Sequence, residues 1–284
     1  AGWFDELLAP ATRRFLIGAS LGGAVTIDIA EEHPSEFDAG IPMCGPVAGT
    51  LLQIDYVAHA ELAFRTLYPG AFDGGTPPSD LDTPVDDLAD LPFDGGPDSV
   101  VARITAALKP SGTVDETLGG YTVQSAGSTE QRPLVPYDPA DPETLIESFA
   151  QVFYFATTGK RDLLARTGGI PFDNQGVVYR DGGDSEVDLA PIVADPAARA
   201  AAEALFEPTG APGLPLHLIH NLWDPVVPSF HSVEYGDLAG SGPDLVVEIV
   251  DGDSDFANDV FGEFASGAYG HCRFPGETLR AVNA

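Results

Sequence analysis

The sequence predicts an α/β protein with a mainly parallel β-sheet, helices on the faces of that sheet and one large, mainly helical insertion. Short apolar segments of strand length alternate with helix-like segments, which is typical of parallel sheets. A segment of about 165 residues separates two of the strands and is too long for a simple crossover connection. With 284 residues, the chain is long enough to bury the core of such a fold.

Four apolar segments are the predicted strands of the sheet. The first, residues 15–20, ends in a Gly-x-Ser-x-Gly turn and passes into a segment with helical spacing, Ala24–Glu32. The other elements predicted for the sheet layer are three strands and two helices: Phe37–Cys44, Leu214–Asn221 and Asp244–Val250, then Pro228–Leu238 and Glu277–Val282.

The long insertion is predicted to be a cap, residues 47–209, with residues 1–46 and 210–284 forming the core that contains the sheet. Its helix-like segments are four: Val47–Leu67, Asp98–Leu108, Pro142–Thr158 and Pro196–Phe206. Because α/β sheets bind ligands beside the carboxyl ends of their strands, we expect the cap to cover that end. Most of the aromatic residues in the cap are expected to pack in its own core, and the remainder to line a pocket.

The chain is strongly acidic and poor in lysine. Its 44 Asp and Glu residues against 13 Lys and Arg residues give a formal net charge of −31. Such a charge repels phosphate backbones and anionic lipids, so we expect neither a nucleic-acid nor a membrane partner. We interpret the acidity as adaptation to high salt, where self-repulsion is screened; an ordinary acidic protein is the alternative.

No apolar run has the length of a membrane span, and the first residues lack the pattern of a signal peptide, so the location stays open.

The segment Gly-Ala-Ser-Leu-Gly-Gly, residues 18–23, predicts a nucleophilic serine at Ser20. Small residues are needed where a strand turns sharply into a helix, because side chains at the flanking positions would collide with neighbouring backbone. The turn exposes the hydroxyl beside a helix N-terminus, where the Leu21 N–H is expected to donate to an oxyanion. The motif alone is common in Gly-rich chains, and the strand before it and the helix after it favour a functional role.

A nucleophilic serine needs a general base, and the base needs a carboxylate that orients it. Asp224 follows a predicted strand in the segment Asn-Leu-Trp-Asp-Pro-Val-Val-Pro, and His271 lies beyond the next strand in Gly-Ala-Tyr-Gly-His-Cys. The order serine, acid, histidine and the positions after strands both fit a catalytic triad. We therefore predict the triad Ser20, Asp224 and His271; the alternative is a turn aspartate and a surface histidine.

These motifs together resemble the α/β-hydrolase superfamily, and more narrowly its large-cap bacterial esterases and prolyl-oligopeptidase-like hydrolases. The resemblance covers residues 11–46 and 210–284, with the cap segments Pro171–Asn174 and Val177–Tyr179 also similar. It implies the fold and acyl chemistry but no particular substrate. Because esters are easier to cleave than amides, we expect a serine hydrolase that cleaves small-molecule or polymeric carboxylic esters through an acyl-enzyme. We expect no organic cofactor, because the triad supplies both the nucleophile and the proton transfer. A serine peptidase of the prolyl-oligopeptidase type is the alternative.

The chain departs from the family pattern at its start, where only 19 residues precede Ser20. Four or more strands, and a loop that supplies a second oxyanion N–H, normally come before the nucleophile in this family. We therefore expect the N-terminal strands to be missing, which makes a truncated, weak or inactive hydrolase a further alternative. Exposed sheet edges would then favour self-association.

Cys44 and Cys272 are both predicted to lie near the same end of the sheet, so a disulfide between them is our hypothesis and two reduced thiols the alternative. Hydrolases of the tannase and feruloyl-esterase types are similar in tying a cysteine beside the catalytic histidine to one beside the serine, a place that Ala19 occupies here. A disulfide would favour an oxidising compartment and hence secretion.

The acidic loop Asp251–Asp255 lacks the glycine and glutamate of an EF-hand, so we expect no metal site.

Overall fold

The computed structural model describes residues 11–72, 95–96, 98–240, 242–251 and 269–274. These residues form a mixed α/β structure with a parallel sheet and an insertion rich in helices, so the predicted fold class is confirmed. The described strands are β1 Phe15–Ala19, β2 Ala39–Met43, β3 Thr122–Gln124, β4 Arg132–Pro133, β5 Val178–Arg180, β6 Glu186–Val187, β7 Leu216–Asn221 and β8 Leu245–Val250. The described α-helices are α1 Leu21–Glu32, α2 Thr50–Leu67, α3 Val100–Leu108, α4 Glu143–Thr167, α5 Pro196–Glu203 and α6 Phe230–Ala239.

The four predicted strands form one sheet in the order β1, β2, β7, β8, and each neighbouring pair is parallel. Side chains alternate between the two faces of a strand, and each face of this sheet has its own core cluster. On one face, Ile27 of α1 and Tyr235 of α6 pack with Leu218 of β7. On the other face, Ile219 of β7 packs with Ile41 of β2. Both faces therefore carry buried side chains at the centre of the sheet, as is typical of parallel sheets, whereas Phe15 and Ile17 of the edge strand β1 are exposed.

The insertion between β2 and β7 contains α2 to α5, in the four segments predicted to be helical. Helices α2 and α4 pack through buried aromatic rings. The centroid of the Phe64 ring lies 5.0 Å from the ring centroids of both Phe149 and Phe153. Helix α4 continues to Thr167, beyond the predicted end at Thr158, because a single glycine, here Gly159, makes a helix less stable without ending it.

A small antiparallel sheet in the insertion, in the order β4, β3, β5, β6, was not predicted. Its strands are two or three residues long and lie among glycines, prolines and aspartates, so no period-two pattern marks them in the sequence. The division into a core and a cap at residues 47–209 stays a prediction.

Two sequence predictions fall largely on residues that the structure does not describe. The helix Glu277–Val282 lies wholly outside the described residues, and of the acidic loop only Asp251 lies within them. Among the helices in the described ranges, none is both long enough and apolar enough to cross a bilayer.

Self-association through a sheet edge stays a prediction, and β1 is where we expect it. This strand is at one edge of the described parallel sheet, and its Phe15 and Ile17 are 54% and 59% exposed. We expect wild type to associate with rising concentration in sedimentation experiments and Ile17→Lys to associate less, because a charge on an edge strand opposes strand addition. Equal association of the two proteins would place the contact elsewhere.

Candidate active site

Ser20 occupies the sharp turn between β1 and α1. Its backbone has φ 57° and ψ −128°, a conformation that costs energy in a residue with a side chain. The Ser20 N–H donates to the Met43 carbonyl at 2.9 Å, which fastens the turn to the end of β2. Leu21 is the first residue of α1, so its N–H is one of the donors that a helix leaves without an internal partner.

The glycines around Ser20 are not equivalent. A Cβ atom on Gly18 would lie 2.0 Å from the Gly22 carbonyl oxygen, and one on Gly23 would lie 3.0 Å from the Met43 oxygen. A Cβ atom on Gly22 would meet nothing within 4 Å among the described residues. The expectation that flanking side chains would collide with backbone is therefore right for Gly18 and wrong for Gly22, whose Cα faces open space.

Gly18→Ala is expected to lower the free energy of unfolding by about 3 kcal/mol, because the contact is with backbone that cannot move aside. Gly22→Ala is the matched control, expected to change it by less than about 0.5 kcal/mol. Urea denaturation of the two variants beside wild type measures both values. Equal destabilisation by the two substitutions would contradict this account of the turn.

Asp224 is fully buried in the loop after β7. Its Oδ1 accepts the backbone N–H groups of Val226 at 2.9 Å and Val227 at 3.0 Å. Its Oδ2 lies 2.7 Å from His271 Nδ1. Three hydrogen bonds thus hold the carboxylate in one orientation, in which Oδ1 accepts the two backbone N–H groups and Oδ2 faces His271.

His271 connects the acid to the serine: its Nε2 lies 2.7 Å from Ser20 Oγ. The segment that carries it, residues 269–274, is fastened to the end of β7. Gly270 N–H donates to the Trp223 carbonyl at 3.1 Å, and Arg273 N–H donates to Asn221 Oδ1 at 2.9 Å. The structure therefore brings the three predicted triad residues together from three separate loops at one end of the sheet.

Cys44 and Cys272 are joined by a disulfide, with their Cα atoms 5.3 Å apart. Cys44 follows β2 directly, and its N–H donates to the Ile219 carbonyl of β7 at 2.8 Å. The bond therefore links the centre of the sheet to the residue beside His271.

In the described part of the chain, these two cysteines and His271 are also the one group of side chains whose potential metal-ligand atoms lie close together. Their sulfurs are bonded to each other, and the imidazole bridges the acid and the serine.

A cavity of about 300 Å³ opens beside Ser20. Its walls come from the turn at Ser20, the loop after β7 and the insertion, and they are mainly apolar: Leu21, Pro46, Ile54, Val57, Ala58, Phe155, Leu163, Leu164, Ile170, Pro171, Phe172, Val226 and Val227. Of the cap aromatics, Phe155 and Phe172 line the cavity, and Phe172 also packs in the buried core of the insertion with Phe149 and Phe153.

His220, which sequence reasoning assigned only to a strand, is buried behind Asp224. Its Nε2 lies 2.6 Å from the Val227 carbonyl and 3.6 Å from Asp224 Oδ2, and its Nδ1 lies 2.8 Å from Ser232 Oγ. A carbonyl only accepts, so Nε2 carries the proton and the Ser232 hydroxyl donates to Nδ1. Burial lowers the pKa of His220, which keeps it neutral in this position. The available signal was a histidine near the carboxyl end of a predicted strand, four residues before Asp224.

Two residues of α2 also support the loop that carries Asp224. Gln53 Nε2 donates to the Val226 carbonyl at 2.8 Å, and Tyr56 Oη donates to the Pro225 carbonyl at 2.7 Å. Nothing in the sequence marks these contacts, since they join residues about 170 positions apart in the chain.

No protein-family model matches the chain, and no curated protein matches it either. Among solved structures, the chain is similar to LipA, a rice cell wall degrading esterase from Xanthomonas oryzae. One LipA structure shares 14% identity with a TM-score of 0.35 over 92% of this chain and 56% of that chain. A second LipA structure and a ligand-bound form each share 15% identity over the same fractions, with TM-scores of 0.31 and 0.30. The chain therefore spans little more than half the length of these structures, and a likeness of this degree identifies no activity.

Proposed function

We propose that the chain is a serine hydrolase that cleaves carboxylic esters through an acyl-enzyme. The observation that carries this proposal is the continuous hydrogen-bonded chain from Asp224 through His271 to Ser20, with 2.7 Å at each step, beside an apolar cavity. A serine hydroxyl is a weak nucleophile alone, and this arrangement supplies the base and the oriented carboxylate that activate it.

In the proposed reaction, Ser20 Oγ bonds to the ester carbonyl carbon while His271 Nε2 takes the hydroxyl proton. The carbonyl oxygen becomes an oxyanion that the Leu21 N–H stabilises, and Asp224 stabilises the imidazolium. The intermediate collapses, the carbon–alkoxy bond breaks, and the alcohol leaves with the proton from His271. Water then attacks the acyl-enzyme by the same sequence and releases the acid.

The cavity lining favours an apolar acyl group. Each buried methylene contributes about 0.8 kcal/mol, so a chain that fills the cavity gains binding free energy that an acetyl group cannot. The described lining contains no lysine or arginine that would pair with an anionic substrate. The disulfide favours a location in an oxidising compartment, where such bonds persist.

The test is hydrolysis of p-nitrophenyl acetate, butyrate and octanoate by wild type and Ser20→Ala, at low and molar salt. We expect kcat/KM to rise with chain length in wild type, the activity to persist in molar salt, and Ser20→Ala to stay at background. Cleavage of aminoacyl p-nitroanilides but not of esters would identify the peptidase alternative. Equal background rates in wild type and Ser20→Ala would support the alternative of a truncated, weak or inactive hydrolase.

A further inference from the structure

The disulfide and the imidazole of His271 form a cluster of atoms that metal ions bind. One potential ligand atom from each of Cys44, Cys272 and His271 lies within 4.8 Å of the other two. Cys272 Sγ lies 3.6 Å from His271 Nε2. A sulfur and a nitrogen that bind the same tetrahedral zinc ion are about 3.5 Å apart, given their usual bond lengths to zinc. Cys272 and His271 are partly exposed, so a reductant and an ion can reach them from solvent.

Backbone hydrogen bonds hold both cysteines in place independently of the bond between their sulfurs. Cys44 N–H donates to the Ile219 carbonyl at 2.8 Å. Cys272 lies in the segment 269–274, which two backbone N–H groups fasten to the end of β7 and the loop after it. These hydrogen bonds do not involve the sulfurs, so we expect reduction to leave two thiols close to His271 Nε2.

His271 already has the orientation of a metal-binding histidine. Its Nδ1 lies 2.7 Å from Asp224 Oδ2, so Nδ1 carries the proton and Nε2 keeps its lone pair. Metal-bound histidines usually donate their other N–H to a carboxylate in this way, which fixes the ring. The arrangement that makes Nε2 a base toward Ser20 therefore also makes it a metal ligand.

We propose that reduction of the disulfide creates an inhibitory zinc site made of Cys44, Cys272 and His271. A dithiol reductant supplies two electrons and two protons: it becomes a disulfide while the two cysteines become thiols. Each thiol passes its proton to the solvent when its sulfur binds Zn²⁺, and Nε2 and a water complete the four ligands. Thiolate and imidazole ligands favour this ion over Mg²⁺ and Ca²⁺.

The ion blocks the base because it occupies the Nε2 lone pair that would take the Ser20 proton. The zinc site therefore exists only in the reduced chain, and the oxidised chain keeps its base free. The loss of activity rests on the proposed function, whereas the binding of zinc does not.

The first experiment measures binding by reduced wild type. Dithiothreitol is removed after reduction by gel filtration without oxygen, and circular dichroism checks the fold. Zn²⁺ is titrated by calorimetry and Co²⁺ by absorption, where a sulfur-to-cobalt band reports thiolate ligands. We expect one ion per chain with a Kd below about 1 μM. Oxidised wild type has the same acidic surface and is the matched control, expected to give no sulfur-to-cobalt band and zinc binding at least about 100-fold weaker.

The histidine ligand is tested by His271→Ala, with His217→Ala as its matched control. His217 is a partly exposed histidine of β7 that pairs with Glu248 and is not part of the cluster. In the reduced state we expect His271→Ala to weaken zinc binding at least about 100-fold, since even partners outside the ligand set contribute about 10- to 100-fold to affinity. His217→Ala is expected to bind as wild type does. Equal binding by His271→Ala and wild type would show that the thiols alone hold the ion and overturns the inference.

The blocked base is tested by hydrolysis of p-nitrophenyl butyrate. One equivalent of Zn²⁺ is expected to abolish the activity that reduced wild type retains, and a chelator to restore it, while oxidised wild type is unchanged. Zinc that binds without lowering this activity overturns the inhibitory role.

Two binding results overturn the inference while ester hydrolysis by the oxidised chain still stands. They are the absence of a sulfur-to-cobalt band in reduced wild type, and a reduced chain that stays unfolded in the presence of zinc. An oxidised chain without ester activity overturns the proposed function instead, and the binding measurements still decide whether the zinc site exists.

Discussion

Asp224→Asn is expected to lower kcat for ester hydrolysis about 10,000-fold while the chain keeps its fold. Asparagine has the same volume, and its Oδ1 can still accept the N–H groups of Val226 and Val227. Its amide nitrogen then faces His271 Nδ1, which must become an acceptor. The proton of His271 therefore moves to Nε2, where it prevents the imidazole from taking the Ser20 proton.

Glu248→Gln is the matched control for this loss. Glu248 also pairs with a histidine, its Oε2 lying 2.9 Å from His217 Nε2, but the pair lies on neighbouring strands and is partly exposed. We expect the kcat of Glu248→Gln to stay within about twofold of wild type, because partly exposed ion pairs contribute little to the stability of the fold. Steady-state kinetics with urea denaturation checks both variants. A kcat for Asp224→Asn within about tenfold of wild type would contradict its role.

Removing the disulfide is the second change with a large expected effect. The bond closes a loop between residues 228 positions apart, and a loop of this length predicts a loss of about 5 kcal/mol, with measured losses of about 2–5 kcal/mol. The Cys44→Ala, Cys272→Ala double variant should therefore unfold at lower urea concentration than wild type. Its kcat should also fall, because Cys272 is the neighbour of His271 and the bond restrains the segment that carries this base.

Reduction provides the control for that prediction. Dithiothreitol should lower the urea midpoint and kcat of wild type and leave the double variant unchanged, since the variant has no bond to lose. Identical midpoints for oxidised wild type and the double variant would show that the bond does not stabilise the fold.

The elements that sequence analysis located are those with a local signal. The apolar runs at β1, β2, β7 and β8 and the helical spacing of α1 to α6 are visible within short windows, and their bounds agree with the structure to within a few residues at most ends. The triad positions were predicted because Ser20, Asp224 and His271 each follow a strand and stand in the order that the chemistry needs. Their roles stay proposals until activity is measured.

The features that were missed depend on distant contacts. Gln53 and His220 acquire their significance only from the carbonyls of Val226 and Val227, which the fold brings to them. The open space at Gly22 likewise depends on which elements surround the turn. A sequence window contains none of these neighbours, so pattern reasoning cannot reach them.

The most direct test of the central claim is covalent labelling by a fluorophosphonate followed by peptide mass spectrometry. The reagent bonds only to a serine whose hydroxyl is activated. The account predicts stoichiometric label on Ser20 in wild type and loss of that label in His271→Ala. Absence of label from wild type, or label on Ser20 that persists undiminished in His271→Ala, would contradict it.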